Sequence, residues 1–458
     1  MRRTRRPVLA GVLAGVALLG GGGVRAQTVP ALAVDRYTLP NGLEVILHED
    51  HSTPIVAVNT WYHVGSGDEK PGRTGFAHLF EHIMFMGSEH VPTGVFDQLL
   101  EAAGANNNGS TTTDRTNYYE VLPSNALPLA LWLDADRMGF LLPTMDQPKL
   151  DLQRDVVKNE RRERYDNVPY GHAYETILAA LYPADHPYHW PTIGSMADLS
   201  AASLEDVRQF FRTYYAPNNA TLVIAGDFDP DSAKSWVRRY FADIPRGPAV
   251  PARPEVPAVA LARDTVLVLE DRVQLPRYYA AWHSAKAFAP DDAALQVLAY
   301  VLAGDKNSRL YKRLVYDLQA AQSVDAEQDG SRLDGMFLLA ITPKQGQSPQ
   351  KLAGMAAEEI ARVASQGIEE RELKRAQNTI RAHFLDEIAS VLGKADQLNF
   401  YNYFVGTPEY AQQDAARFDE VTAADVQRVA KQYLLAPKVV LTVVPAGQRE
   451  LAVKGVTP

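Results

Sequence analysis

Two stretches of this chain read as copies of one another, and that repeat constrains the fold more than any other feature. Near the end of the first half runs LSAASLEDVRQFFRTYYAPNNATLVIAGD, from Leu199 to Asp227. Near the end of the second runs DEVTAADVQRVAKQYLLAPKVVLTVVPAG, from Asp419 to Gly447. Each places a Ser or Thr where a helix would start (Ser203, Thr422), with Asp three residues on (Asp206, Asp425), which suits the free N–H groups of a first helical turn. Each predicted helix ends in an aromatic stretch and Ala-Pro, followed by a β-branched strand, and Tyr214 answers Tyr433 at the same offset. Matched cap, length and Ala-Pro together point to duplication rather than to a shared generic pattern.

The boundary between the copies is visible. From Ile244 the chain reads IPRGPAVPARPEVPAVA, with Pro245, Pro248, Pro251, Pro254 and Pro257 at every third position. Polyproline II has three residues per turn, so these prolines would line one edge of a stiff, extended strap. We therefore expect a first domain over 27–244, a Pro-rich linker over 245–260 and a second domain over 261–458. Strands such as LEVILHED, IVAVNTWYHVG, TNYYEVLP and TLVIAGD alternate with long helices, and many are joined by short turns. That favours an α+β fold of two duplicated α/β sandwich domains, each a mainly antiparallel sheet backed by helices.

The chemistry concentrates in GRTGFAHLFEHIMFMGS. On a helix, His78, Glu81 and His82 share one face. Two imidazoles one turn apart can bind a single Zn²⁺, and a carboxylate between them can take a proton from the water that the metal activates. The order is H-x-x-E-H, that of the inverted zincins. An ordinary amphipathic helix with two solvated histidines would give the same five letters. The discriminating feature is a third ligand, since such a site needs three protein ligands and one open position. Glu160, in LDLQRDVVKNERRERYDNVPYG, is the best candidate, on a predicted helix with Leu152, Val156, Val157 and Asn159 around the same face.

Residues 1–26 carry an arginine-rich start, a short apolar run and a small-residue end at Val24-Arg25-Ala26, the pattern of a signal peptide cut before Gln27. The run is short and glycine-rich, so no membrane anchor is expected after cleavage. There is no cysteine, hence no disulfide framework. We expect a bacterial periplasmic or secreted protein. The net charge is −9, and losing the leader removes five arginines and no acids. An acidic surface without a basic stripe argues against nucleic acid.

The paired signature, H-x-x-E-H followed by a distant glutamate, resembles the pitrilysin, insulin-degrading and mitochondrial processing peptidase family, over nearly the whole mature chain. The resemblance implies a zinc metalloendopeptidase with His78, His82 and Glu160 as ligands and Glu81 as general base. It also implies two halves related by a pseudo-twofold. The helix answering the motif in the second half, APDDAALQVLAYVLAG, has no histidine, so one Zn²⁺ per chain follows. The turn-rich GANNNGSTTTDRTNYYEVLP reads as a polar edge strand or a plain surface hairpin. The resemblance places the substrate backbone there, on Asn108, Gly109 and Ser110, by strand addition.

Two departures from the family pattern stand out. Gln153 takes the place of an additional glutamate, and Val315 and Gln322 align where double-length members hold the substrate carbonyl with an Arg/Tyr pair; Arg313 and Tyr316 lie near but at the wrong spacing. The expectation is therefore a metal-bearing subunit of a heterodimer, with a homologous partner supplying Arg and Tyr. A non-catalytic core-type subunit and a self-sufficient homodimeric peptidase are the alternatives. His172, His186 and His189 read as loop or pocket residues, and His48 and His51 as solvated.

Overall fold

In the computed structural model, residues 28–253 and 256–455 are described. The segment 1–26 expected to be a signal peptide, and Pro254 and Glu255 of the expected linker, lie outside them. The remaining described linker residues hold no helix or strand.

The first sheet comprises β1 (Asp35–Thr38), β2 (Glu44–Glu49), β3 (Ile55–Tyr62), β4 (Asn106–Thr111), β5 (Thr116–Pro123) and β6 (Ala220–Gly226), in the order β1-β2-β6-β3-β5-β4. The second comprises β7 (Thr265–Asp271), β8 (Arg277–Ser284), β9 (Ala321–Gly330), β10 (Gly335–Pro343) and β11 (Val439–Pro445), in the order β7-β11-β8-β10-β9. Remove β1 and the two orders coincide strand for strand. In both, one pair is parallel (β2 with β6, β7 with β11) and the rest are antiparallel. The duplicated α+β architecture is thus written in the topology. The matched helix caps form as well: Ser203 Oγ accepts the Asp206 N–H (3.1 Å), and Thr422 Oγ1 accepts that of Asp425 (3.2 Å).

β6 and β11 are buried at every position. A strand covered on both faces needs apolar residues throughout rather than alternation, which is why ATLVIAG and VVLTVVP read as continuous runs. What covers them is exchanged between the halves. Helix Val391–Val405, from the second half, lays Val391, Ala395 and Leu398 on Ile46, Ala57, Val223 and Ala225 of the first sheet. Helix Ala173–Leu181, from the first half, lays Ile177, Leu178 and Leu181 against Tyr279, Ala281, Leu441 and Val443 of the second. Neither sheet has its far face covered by its own half alone.

Candidate functional site

The motif helix Phe76–Ile83 starts where Gly75 adopts a φ of 85°, the left-handed region that suits glycine. Its N-terminus is held by a buried carboxylate: Glu69 accepts the N–H groups of Gly75 (2.9 Å) and Ala77 (2.8 Å) and the indole N–H of Trp190 (3.1 Å). Burial pushes the Glu69 pKa up to about 8 against these three hydrogen bonds, so near neutral pH it caps the helix by hydrogen bonding more than by charge. The helix buries Leu79, Phe80 and Ile83 in the core of the first half and turns His78 and His82 toward Glu160 on helix Gln147–Arg161. That helix begins under the Asp146 carboxylate, which accepts the Lys149 N–H (3.0 Å), and carries Glu160 in its last turn.

The two helices bring three ligand atoms together. Glu160 Oε2 lies 3.0 Å from His82 Nε2 and 3.6 Å from His78 Nε2. The three atoms all fall within 4.8 Å of one another, the single such group of His, Cys or carboxylate side chains among the described residues. A tetrahedral Zn²⁺ with bonds of about 2.0 Å needs donors about 3.3 Å apart, so the spacing fits. Burial, aided by His82, pushes the His78 imidazolium down to about 4, leaving the ring neutral at pH 7, the form that ligates a metal. His78 Nδ1 is buried and meets no hydrogen-bonding protein group among the described residues. Burial alone would raise the Glu160 carboxyl, but the His82 hydrogen bond and the charges of His78, His82 and Arg164 hold it below its ordinary value.

Glu81 faces the other way, toward β4. Burial raises its pKa, against the Thr111 hydroxyl that donates to Oε2 (2.7 Å). The approach is close: a Cβ on Gly109 would stand 3.0 Å from Glu81 Cγ. β4 is the edge of the first sheet, paired with β5 on one side only. The Thr112 N–H to Arg115 carbonyl bond (2.8 Å) closes the β4–β5 hairpin and sets the alternation along it. Asn108 and Ser110 therefore spend their backbone groups on β5, while those of Asn107, Gly109 and Thr111 point to the open edge. Of the residues expected to meet substrate, Gly109 alone has outward main-chain groups. Its N–H is occupied by the Asn108 side chain (2.9 Å), and Ser110 Oγ donates to Asn117 (2.6 Å).

Several expectations are corrected. Leu152 and Val156 are exposed; the buried face of their helix is Leu150, Gln153, Val157 and Arg161. Both sets have helical spacing, and composition does not choose between them. His48 is buried and donates from Nδ1 to the Ala33 carbonyl (2.8 Å), whereas His51 is exposed between Glu49 and Asp227. His172 pairs with Glu175, His186 stacks on Tyr182, and His189 bonds to the Tyr182 carbonyl, so these three do not converge. Thr111 and Glu69 were missed. A threonine run marks neither its face nor its partner, and Glu69 is one acid among many until the chain folds back on it.

With the geometry in view, comparison with known proteins places it. Residues 44–188 match the family described as Insulinase (Peptidase family M16), and residues 201–380 match the Peptidase M16 inactive domain. Together these span most of the chain. It belongs to peptidase family M16. The zinc protease PqqE of Helicobacter pylori is 28% identical over 406 residues, covering 87% of this chain and 90% of that one. An Arabidopsis thaliana protein named as a probable mitochondrial-processing peptidase subunit beta is 25% identical over 417 residues, covering 87% of this chain and 75% of its own. The crystal structure of a protease from Helicobacter pylori superposes with a TM-score of 0.83 at 25% identity, covering 91% of this chain and 100% of that one.

In this M16 chain the second half carries no counterpart of the ligand cluster among the described residues. Helix Asp292–Ala299 answers the motif helix and is buried at seven of its eight positions. Gln153, on the Glu160 helix, is buried with its amide against Met86 Sδ. Val315 packs partly buried against the second core, and Gln322 is exposed on β9. Arg313 is engaged by Glu358 (2.7 Å), and Tyr316 is 73% exposed. No helix among the described residues is long and apolar enough to cross a membrane.

Proposed function

We propose that this chain is an exported zinc endopeptidase that cleaves extended peptides, working as the metal-bearing subunit of a heterodimer. One observation supports it above the rest: the His78, His82 and Glu160 donors gather on one side of the motif helix while Glu81 meets the free edge of β4 on the other. Zinc bound by those donors supplies a Lewis acid for the scissile carbonyl and lowers the pKa of a water toward about 7. Glu81 accepts the proton of the attacking water and delivers it to the leaving amine. Its raised pKa suits both halves of that exchange, and the Thr111 hydroxyl fixes which oxygen faces the substrate. The peptide adds as a strand beside β4, pairing with the outward Gly109 carbonyl and the outward groups of Asn107 and Thr111.

The heterodimer rests on Val315 and Gln322, which have neither the charge nor the hydroxyl to hold a carbonyl, and on the likeness to a relative named as a processing-peptidase beta subunit. A homodimer or a non-catalytic subunit remain the competing assemblies. The decisive comparison is wild type against Glu81→Gln. The variant should keep its zinc and lose turnover by about a thousandfold, the scale of a missing general base. Undiminished cleavage would remove Glu81 from the reaction. Full activity of the purified chain alone would remove the partner, and a mature N-terminus other than Gln27 would remove the assigned leader.

A further inference from the structure

The tip of the β4–β5 hairpin is a two-residue turn, Thr113-Asp114, and Asp114 is only 3% exposed. A buried carboxylate at a hairpin tip is unusual, because such tips ordinarily face water. This one is saturated. Its Oδ1 accepts from Arg253 Nη1 (2.6 Å) and the Tyr188 hydroxyl (3.2 Å), and its Oδ2 from the Arg332 N–H (2.9 Å). Its carbonyl accepts from Arg253 Nη2 (2.8 Å) and the Tyr403 hydroxyl (2.9 Å).

The donors come from four other places in the fold. Arg253 lies in the linker and also pairs with Asp68, just upstream of the motif helix. Tyr188 belongs to the loop after helix Ala173–Leu181, and its oxygen accepts the Leu333 N–H (2.9 Å). Arg332 and Leu333 form the β9–β10 turn, the second half's own copy of this hairpin tip. Tyr403 is on the exchanged helix Val391–Val405. The backbone of the turn is clasped too: Ser66 and Gly67 donate to the carbonyls of Thr112 (3.1 Å) and Thr113 (2.8 Å). A Cβ on Gly65 would stand 2.4 Å from the Thr112 carbonyl oxygen.

β4 has only one neighbouring strand, so its tilt depends on how its ends are held. One end is Asp114, three residues beyond Thr111 and five beyond Gly109. We propose that Asp114 is a positioning residue for peptide docking: through it the second half, which has no metal ligands of its own, fixes the edge strand beside Glu81. The inference rests on the peptidase reading for its consequence but not for its geometry. Asp114→Asn keeps the shape and loses the charge that holds Arg253. Tyr188→Phe removes one oxygen and with it the bridge from Asp114 to Leu333.

The test uses the full-length zinc-loaded protein and an extended reporter peptide. Both variants should keep wild-type zinc content and melting temperature within a few degrees. Each should raise KM about fivefold or more while changing kcat less than about twofold, the signature of lost docking rather than lost chemistry. Amide exchange over 106–111 should rise about tenfold, with β7 and β11 unchanged. Tyr188→Phe decides the matter if Asp114→Asn does not fold. Unaltered exchange over 106–111 in a folded variant overturns the positioning role, as does looser exchange with an unchanged KM. A wild type that cleaves no peptide even with its partner subunit present sinks the peptidase reading instead, and the exchange data alone then judge whether Asp114 holds the strand.

Discussion

The two halves share a strand order, a capped helix before the last strand and a helix lent to the other half, yet the ligand cluster lies in one of them. In the first, the motif helix gives His78 and His82 to the groove against helix Gln147–Arg161. In the second, helix Asp292–Ala299 contacts helix Glu370–Glu387, and Leu295, Leu298, Leu373 and Ala376 of the two helices all lie in one apolar cluster. The difference is confined to which residues line one helix–helix groove. The groove that stays closed stabilises its half, and the open one gives up apolar burial for ligands. The second copy is then free to serve as a brace, and the convergence on Asp114 shows where the brace bears.

The comparison breaks most severely at the metal ligands. His82→Leu gives the first groove an apolar residue like those of the second. Bound zinc should fall from one per chain to nearly none, with cleavage at background; the reverse change, Leu298→His, should add no second zinc. Metal analysis of both purified variants checks the pair. Zinc retained by His82→Leu would show that the site is not the one described. Leu298 is fully buried, so an imidazole there lacks a partner and should cost about 2–4 kcal/mol.

The exchanged helices make a second contrast testable. Leu398 belongs to the second half by sequence and to the first by packing. Leu398→Ala should cost about 3 kcal/mol, the range for an emptied buried leucine site. Because its helix joins the halves, both should still unfold in one transition. Two separated transitions by calorimetry would show that the exchange does not couple them.

The sequence disclosed the repeat, the motif and Glu160 because each is local or has a local signature: a cap three residues from its acid, ligands one turn apart, a helix without breakers. It did not disclose whose surface each helix covers. The apolar face of Val391–Val405 is set by its own spacing, but nothing in that spacing says it meets Ala57 and Val223 rather than its own sheet. The same limit hid Leu152 and Val156, which share a helical row with Glu160 and lie exposed beside it. It hid Asp114 as well, whose partners lie between 74 and 289 residues away.

A smaller effect probes how closely the first half is built around its base. Gly109→Ala adds a methyl that would press on Glu81 Cγ. The backbone there tolerates alanine, so the fold should survive and kcat/KM should drop about tenfold, a misplacement effect rather than a lost group. An unchanged kcat/KM would mean that Glu81 moves aside freely and that the glycine is not required for the approach.

The mildest test reaches the seam between the halves through pH. His63, at the end of the first half's β3, donates to or accepts from Thr221 Oγ1 (3.0 Å) and packs its ring 5.0 Å from that of Tyr403 on the exchanged helix. Burial, with Arg332 and Arg253 nearby and only Glu44 opposing, pushes its pKa from 6.5 down to about 4. The folded state thus prefers the neutral ring, and the unfolded chain binds the proton first as pH falls. The stability contributed by neutral His63 is complete above pH 6.5 and is lost progressively between there and about 4. Melting temperatures of wild type and His63→Asn, followed from pH 7.5 to 4.5, should converge as acid is added, because only the wild type has this proton to take up. Parallel curves would place the acid sensitivity elsewhere and leave the seam indifferent to His63.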